Sequence, residues 1–197
     1  MRSWLAPAKL NLFLHVVGRR PDGLHELQTL FQLLDFGDAL SFEVTDDGII
    51  ARDGIPYLPD DDLCVRAARS LQRASRTRFG ARIRLTKRIP IGAGLGGGSS
   101  DAATVLVALN HLWQTRLTED ALTDIGESLG ADVPLFVRGR SAWGEGIGER
   151  LTPVELPPQH FCVVWPEVSV PTKIIFSDPE LTRNTPRIRI PGPFEGD

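Results

Sequence analysis

An α+β fold, with a mixed or antiparallel sheet half covered by helices, is what this sequence predicts, on three observations. Apolar and polar residues alternate over residues 10–17, 39–45 and 81–87, the pattern of strands with one covered face. Segments of helical periodicity fall between those strands instead of being segregated from them. A run of five glycines and two serines joins the third strand directly to an apolar helical stretch.

In chain order, residues 10–17 read as a strand with Leu10, Leu12, Leu14 and Val16 on one face and Lys9, Asn11, Phe13 and His15 on the other. Pro21-Asp22-Gly23 marks a turn. Residues 27–34 fit a buried strand or a short helix equally well. Residues 39–45 form a strand closed by Asp46-Asp47-Gly48. Residues 63–78 read as a helix with Leu63, Ala67, Leu71 and Ala74 on one stripe and arginines opposite. After the strand at 81–87 come the glycine loop and a helix ending near Trp113. Thr118 caps a helix reaching Leu129, which Gly130 closes. Prolines become frequent from Pro153. A strand is expected at residues 160–165, and the polar, proline-rich stretch 183–197 is expected to be poorly ordered.

The 197 residues suffice for one domain or one and a fraction, and a hydrophobic content of 42% supports a core. A net charge of −3 excludes a general nucleic-acid or membrane binder. The basic clusters Arg19-Arg20, Arg82/Arg84 and Lys87-Arg88 read as solvated edges and loops, with a share facing an anionic ligand. Cys64 and Cys162 are too few for a disulfide framework; each lies among apolar neighbours and reads as reduced core filler. No Cys/His spacing suggests zinc. Lys9 and Asn11 interrupt the only signal-like run, and no apolar stretch reaches membrane-spanning length. A cytoplasmic protein is expected.

The chemistry concentrates in Ile89-Pro90-Ile91-Gly92-Ala93-Gly94-Leu95-Gly96-Gly97-Gly98-Ser99-Ser100-Asp101. Glycines let the backbone approach a ligand, and a helix start offers unpaired N–H groups at the positive end of its dipole. Such a loop cradles phosphate, with serine hydroxyls adding hydrogen bonds. The G-x-G-x-x-G match of Gly92, Gly94 and Gly97 lacks its acidic partner, since that position falls near Glu119 in a helix start. No lysine follows Gly98, which excludes a Walker A loop. A flexible linker does not run straight from a strand into a strong helix. Two smaller constellations stand apart. Lys9 and Asn11, two apart on a strand, suit a substrate hydroxyl or phosphate, or form a plain surface pair. Asp132, in Gly130-Ala131-Asp132-Val133-Pro134, is an acid at a helix junction, or a turn residue.

The form Pro-x-Gly-x-Gly-Leu-Gly-x-Gly-Ser-Ser resembles the ATP loop of the GHMP kinases. Pro7-Ala8-Lys9-Leu10-Asn11-Leu12, Pro21-Asp22-Gly23-Leu24-His25, Leu27-Gln28-Thr29-Leu30-Phe31-Gln32, Gly130-Ala131-Asp132-Val133-Pro134 and Asp178-Pro179-Glu180-Leu181 extend the resemblance nearly from Met1 to Pro186. They point to the branch of that family serving non-mevalonate isoprenoid synthesis. The resemblance implies a ribosomal protein S5 domain 2-like N-terminal domain over 1–155 and the start of a second domain over 156–197. It implies transfer of the γ-phosphoryl of ATP, with Mg2+, to a hydroxyl of a cytidyl diphosphate sugar alcohol. By that resemblance residues 90–100 hold the triphosphate, Asp132 takes the hydroxyl proton and Lys9 holds or polarises the hydroxyl. Asn11 orients the sugar alcohol, His25 pairs with the cytosine edge, and Phe176 stacks on the base. Taken alone, His25 is a loop histidine and Phe176 a core residue. Three positions depart from the family: Leu24 replaces a tyrosine wall, Asp62 an adenine-contacting asparagine, and Ser177 a lysine. The family's chain continues through a second domain with another glycine-rich motif, so a truncated chain is expected, and a nucleotide-binding fragment with weak turnover or none is one alternative to the kinase. A GHMP kinase for another small alcohol is the remaining alternative.

Overall fold

The structure, a computed structural model, describes residues 2–54, 61–166 and 172–189. Its spine is a long antiparallel hairpin of β1 (Ser3–Arg19) and β2 (His25–Thr45), closed by a turn in which Arg20 N donates to Leu24 O. β2 has β1 along one edge. Along the other it pairs first with β5 (Ala142–Gly146) through residues 27–31, then with β4 (Gly80–Thr86) through residues 39–45. β3 (Ile50–Arg52) joins β4 in parallel and β6 (Arg150–Pro153) joins β5 antiparallel, giving a mixed sheet of six strands among the described residues. The ambiguous segment 27–34 is therefore strand, its β-branched and aromatic residues paired on both edges.

Four helices cover one face: α1 (Leu63–Ser75), α2 (Gly97–Leu112), α3 (Glu119–Glu127) and α4 (Val133–Arg138). α2 is central and apolar nearly all round, with Ala102, Val105, Leu106 and Leu109 fully buried against α1, α4 and the sheet. Alternation in β4 sends Ala81 and Ile83 into that core and Arg82 and Arg84 out. Trp113 closes the far end, its indole N–H donating to Gly80 O at 3.1 Å. Thr118 caps α3 as expected, accepting from Ala121 N.

Several expectations change. The buried stripe of α1 is Cys64, Ala67, Ala68 and Leu71, so Ala74 is exposed, and the helix stops at Ser75 where Arg76 turns left-handed (φ 53°). A bulge between Asn11 and Leu14 inverts the alternation of β1. Asn11 pairs with Phe31 and Leu14 with Thr29, so both fall on one face, and Leu14 is half exposed. Residues 160–165 form no strand, because no sheet edge pairs with them, and Cys162 is exposed there instead of filling a core. Cys64 is buried. Residues 183–189 are tied to the hairpin: Thr185 N donates to Val16 O, and Gln28 exchanges hydrogen bonds with the backbone of Ile188. Arg187 pairs with Glu26. Residues 190–197 lie outside the described residues. A last short helix, α5 (Thr172–Ser177), precedes that segment.

Candidate active site

The glycine loop enters its helix earlier than the apolar pattern suggests. Gly97, Gly98, Ser99 and Ser100 themselves form the first turn of α2, so the N–H groups of the cradle belong to glycines and serines. Gly92, Gly94 and Gly96 all adopt left-handed φ (77°, 74° and 74°). Gly96 is constrained twice over, since a Cβ there would lie 2.7 Å from Phe136 Cζ and 3.1 Å from Lys9 Cγ. The loop is held against β1 by Lys9 N donating to Leu95 O at 3.0 Å. A cavity of about 670 Å³ opens over it, lined by the loop and by Arg52, Asp62, Lys87 and Asp101.

Beside this nest the structure brings Lys9 and Asp132 together. Asp132 occupies the N-cap position of α4 but its side chain caps nothing; Pro134, in the first turn after Val133, needs no amide partner. The carboxylate is thus left to face Lys9, Oδ2 lying 3.6 Å from Nζ. The Lys9 side chain is 8% exposed and that of Asp132 38% exposed. Lys9 Nζ donates to Asn11 Oδ1 at 2.6 Å and lies 5.6 Å from the Phe31 ring centre. Asn11 Nδ2 donates to Thr29 Oγ1 at 2.8 Å, and Thr29 Oγ1 to Phe13 O. The chain of bonds fixes the lysine by way of the amide, so Asn11 here steers Lys9. An ammonium and a carboxylate thus stand beside the strand-to-loop contact that holds the glycine loop, an arrangement that can activate an alcohol next to bound phosphate.

His25 and Phe176 also meet. Their rings stack with centres 5.0 Å apart and planes 22° apart, on the wall of a separate cavity of about 510 Å³ that includes Arg19, Leu24 and Ser177. Arg183 Nε donates to His25 Nε2 at 3.0 Å. Burial first, then the charges of Arg183 and Arg19, holds the His25 pKa below the ordinary histidine value. The neutral ring with its Nε2 accepting leaves Nδ1–H as the donor face. Leu24, 48% exposed, lines the same cavity.

Asp62 serves as the N-cap of α1: Oδ1 accepts from Val65 N at 3.0 Å and Oδ2 from Arg52 Nε at 2.7 Å. Three residues escaped the sequence reading. Lys87, grouped there with solvated arginines, donates to Asp38 Oδ2 at 2.5 Å and to Asp101 Oδ2 at 2.8 Å. Asp38 is fully buried, and its Oδ1 accepts from Arg88 N and Ile89 N at the start of the glycine loop. The available signal was an acid inside an apolar strand and another opening an apolar helix, positions that a carboxylate occupies only with a partner.

Comparison with known proteins bears on the same residues. The model of the GHMP kinases N terminal domain matches residues 62–140. A 4-diphosphocytidyl-2-C-methyl-D-erythritol kinase from Dechloromonas aromatica (strain RCB) is 60% identical over 188 residues, which cover 94% of this chain and 69% of the relative. The enzyme of that name from Cupriavidus metallidurans is also 60% identical, with 94% of this chain and 64% of the relative covered. A crystal structure of 4-(cytidine 5'-diphospho)-2C-methyl-D-erythritol kinase superposes with a TM-score of 0.78 at 45% identity, covering 89% of this chain and 63% of that one. The Methanococcus jannaschii mevalonate kinase shares the fold alone (TM-score 0.57, 13% identity, 78% and 56% covered). The chain thus spans 64–69% of the length of these two curated relatives.

Proposed function

This chain belongs to the 4-diphosphocytidyl-2-C-methyl-D-erythritol kinases within the GHMP kinases, and from that premise we propose that it transfers the γ-phosphoryl of ATP to the 2-hydroxyl of 4-diphosphocytidyl-2-C-methyl-D-erythritol. The step serves non-mevalonate isoprenoid synthesis, in the cytoplasm where both nucleotides are at hand. The observation that carries the reading is the Lys9–Asp132 pair, 3.6 Å apart, beside a loop whose Leu95 is bonded to the backbone of the same lysine.

Phosphoryl transfer asks for positioning and charge stabilisation more than covalent chemistry. MgATP is the donor substrate; residues 90–100 would hold its triphosphate, the N–H groups of Gly97, Gly98 and Ser99 in the first turn of α2 supplying the donors. Asp132 accepts the proton of the attacking hydroxyl. Lys9 stabilises the negative charge that develops on the attacking oxygen. Asn11 and Thr29 hold the lysine head in line, and Asn11 has one amide hydrogen left for the sugar alcohol. The cytidine end lies in the second cavity, with His25 Nδ1–H toward the base edge and Phe176 as its stacking surface, a stack of about 1–3 kcal/mol. Because the two rings stack on each other here, the base reaches this arrangement only when they part and the His25 ring turns its edge toward it. Residues 1–155 make up the catalytic unit and residues 156–197 the start of a second one.

A coupled assay of ADP release by the 197-residue chain tests this, with the cytidyl substrate set against homoserine and mevalonate. Release dependent on the cytidyl compound alone is the expected result. Release with another alcohol, or MgATP binding without release, contradicts it.

A further inference from the structure

Two buried carboxylates share one ammonium at the stem of the nucleotide loop. Lys87 and Asp101 stand at either end of the loop, and Asp38 reaches them from β2. Asp38 is well satisfied: three donors converge on it, the ammonium of Lys87 and the amides of Arg88 and Ile89. Asp101 is not. Its side chain is 4% exposed, and among the described residues Lys87 is its one hydrogen-bond donor and its buried Oδ1 has no partner, on the wall of the nucleotide cavity. Within this cluster, among the described residues, two carboxylates face one ammonium. From α1, the Cys64 thiol faces the same charge and adds none, its pKa pushed far up by burial and by Asp101. Further along the wall Asp62 pairs with Arg52 and Asp53 with Arg84, and Asp61 adds an exposed carboxylate at the rim. The Arg88 guanidinium lies over the Phe36 ring, 5.0 Å from its centre, and is spent there.

Resting on the reading of this loop as the nucleotide site, we infer that Asp101 takes up a proton when MgATP binds, making the Asp38–Lys87–Asp101 cluster a positioning unit for the nucleotide loop whose charge sets nucleotide affinity. The net negative nucleotide enters a cavity whose wall includes the Asp101 carboxylate, and the proton removes that part of the repulsion while leaving Lys87 tied to Asp38. The buried, one-donor environment agrees: burial in the first place raises the Asp101 pKa to about 7, so the proton is available near neutrality. Asp101 acts through the loop and through Lys87, and the structure gives it no contact with the reacting hydroxyl.

Calorimetric titration of the unmodified chain with MgATP, in two buffers of different protonation enthalpy at about pH 8, counts the protons directly. The expected uptake approaches one proton per nucleotide. MgATP affinity should fall as pH rises above about 7, by up to about tenfold per pH unit, since the free site must be re-protonated to bind. Asp101→Asn, which mimics the protonated acid, should bind with no uptake and keep at about pH 8 the affinity that the unmodified chain shows near pH 6.5. Binding without proton uptake overturns the inference, as does uptake that persists in Asp101→Asn. The proton count on the unmodified chain decides the matter even if the variant does not fold. Absence of MgATP binding at every pH overturns the nucleotide-site reading and this inference with it.

Discussion

Substituting Gly96 by alanine separates two demands that the loop makes on its glycines. At φ 74° an L-residue costs about 1–2 kcal/mol through its Cβ. The new methyl would also lie 2.7 Å from Phe136 Cζ and 3.1 Å from Lys9 Cγ. Phe136 is buried, so it cannot swing clear, and overpacking of that kind costs about 1–3 kcal/mol more. Together these give about 2–5 kcal/mol, or about 4–20 °C in the unfolding midpoint of a chain this size. Gly94 supplies the control. It has the same φ of 74°, but a Cβ there meets nothing within 4 Å, so Gly94→Ala should cost the conformational part alone, about 2–8 °C. Thermal unfolding of both variants, with ADP release measured alongside, makes the comparison. Gly96→Ala should also slow phosphoryl transfer about tenfold or more, because the displaced Lys9 stem carries the ammonium away from Asp132. Equal midpoints for the two variants would refute the packing argument. So would a Gly96→Ala protein with unchanged turnover.

Asp62→Ala removes the α1 cap and the Arg52 ion pair together, and should destabilise the chain by about 1–3 kcal/mol in denaturant unfolding, with hydrogen exchange at the Val65 amide accelerating first. Unchanged stability would contradict the capping role. The His25 pKa is depressed, so the contact that Arg183 makes to its Nε2 is fully present above the ordinary histidine pKa. It is lost as pH falls through and below that range, because the folded state binds the proton less readily than the unfolded one. NMR titration of His25 should show a midpoint below that of an Arg183→Ala variant, whose remaining depression comes from burial and Arg19; coincident midpoints would remove Arg183 as a cause.

The fold was legible wherever local pattern and tertiary partner agree. The Thr118 cap, the alternation of β4 and the i, i+2 placement of Lys9 and Asn11 are local facts, and each survives in the structure. The β1 bulge is not local: one extra residue between Asn11 and Leu14 reverses the strand's faces, and nothing in the leucine pattern announces it. Residues 160–165 have strand composition, but strand composition without an edge to pair with yields exposed chain, taking Cys162 with it. The site divides in the same way. Glycine and serine spacing reveals a phosphate cradle because helix starts and left-handed turns have their own chemistry. The Asp38–Lys87–Asp101 cluster stayed hidden because its members lie 49 and 14 residues apart and meet only once β2, β4 and α2 are assembled. Asp132 is intermediate: its place before a proline was visible, whereas its turn toward Lys9 depends on α4 seating against α2.

Replacing Asp132 by asparagine, which keeps shape but cannot accept the hydroxyl proton, tests the catalytic pair most directly. With MgATP affinity measured by calorimetry and turnover by ADP release, kcat should fall by about 10²–10⁴-fold while nucleotide affinity stays within about twofold. Turnover close to that of the unmodified chain would contradict the assignment of Asp132 as the base beside the phosphate cradle.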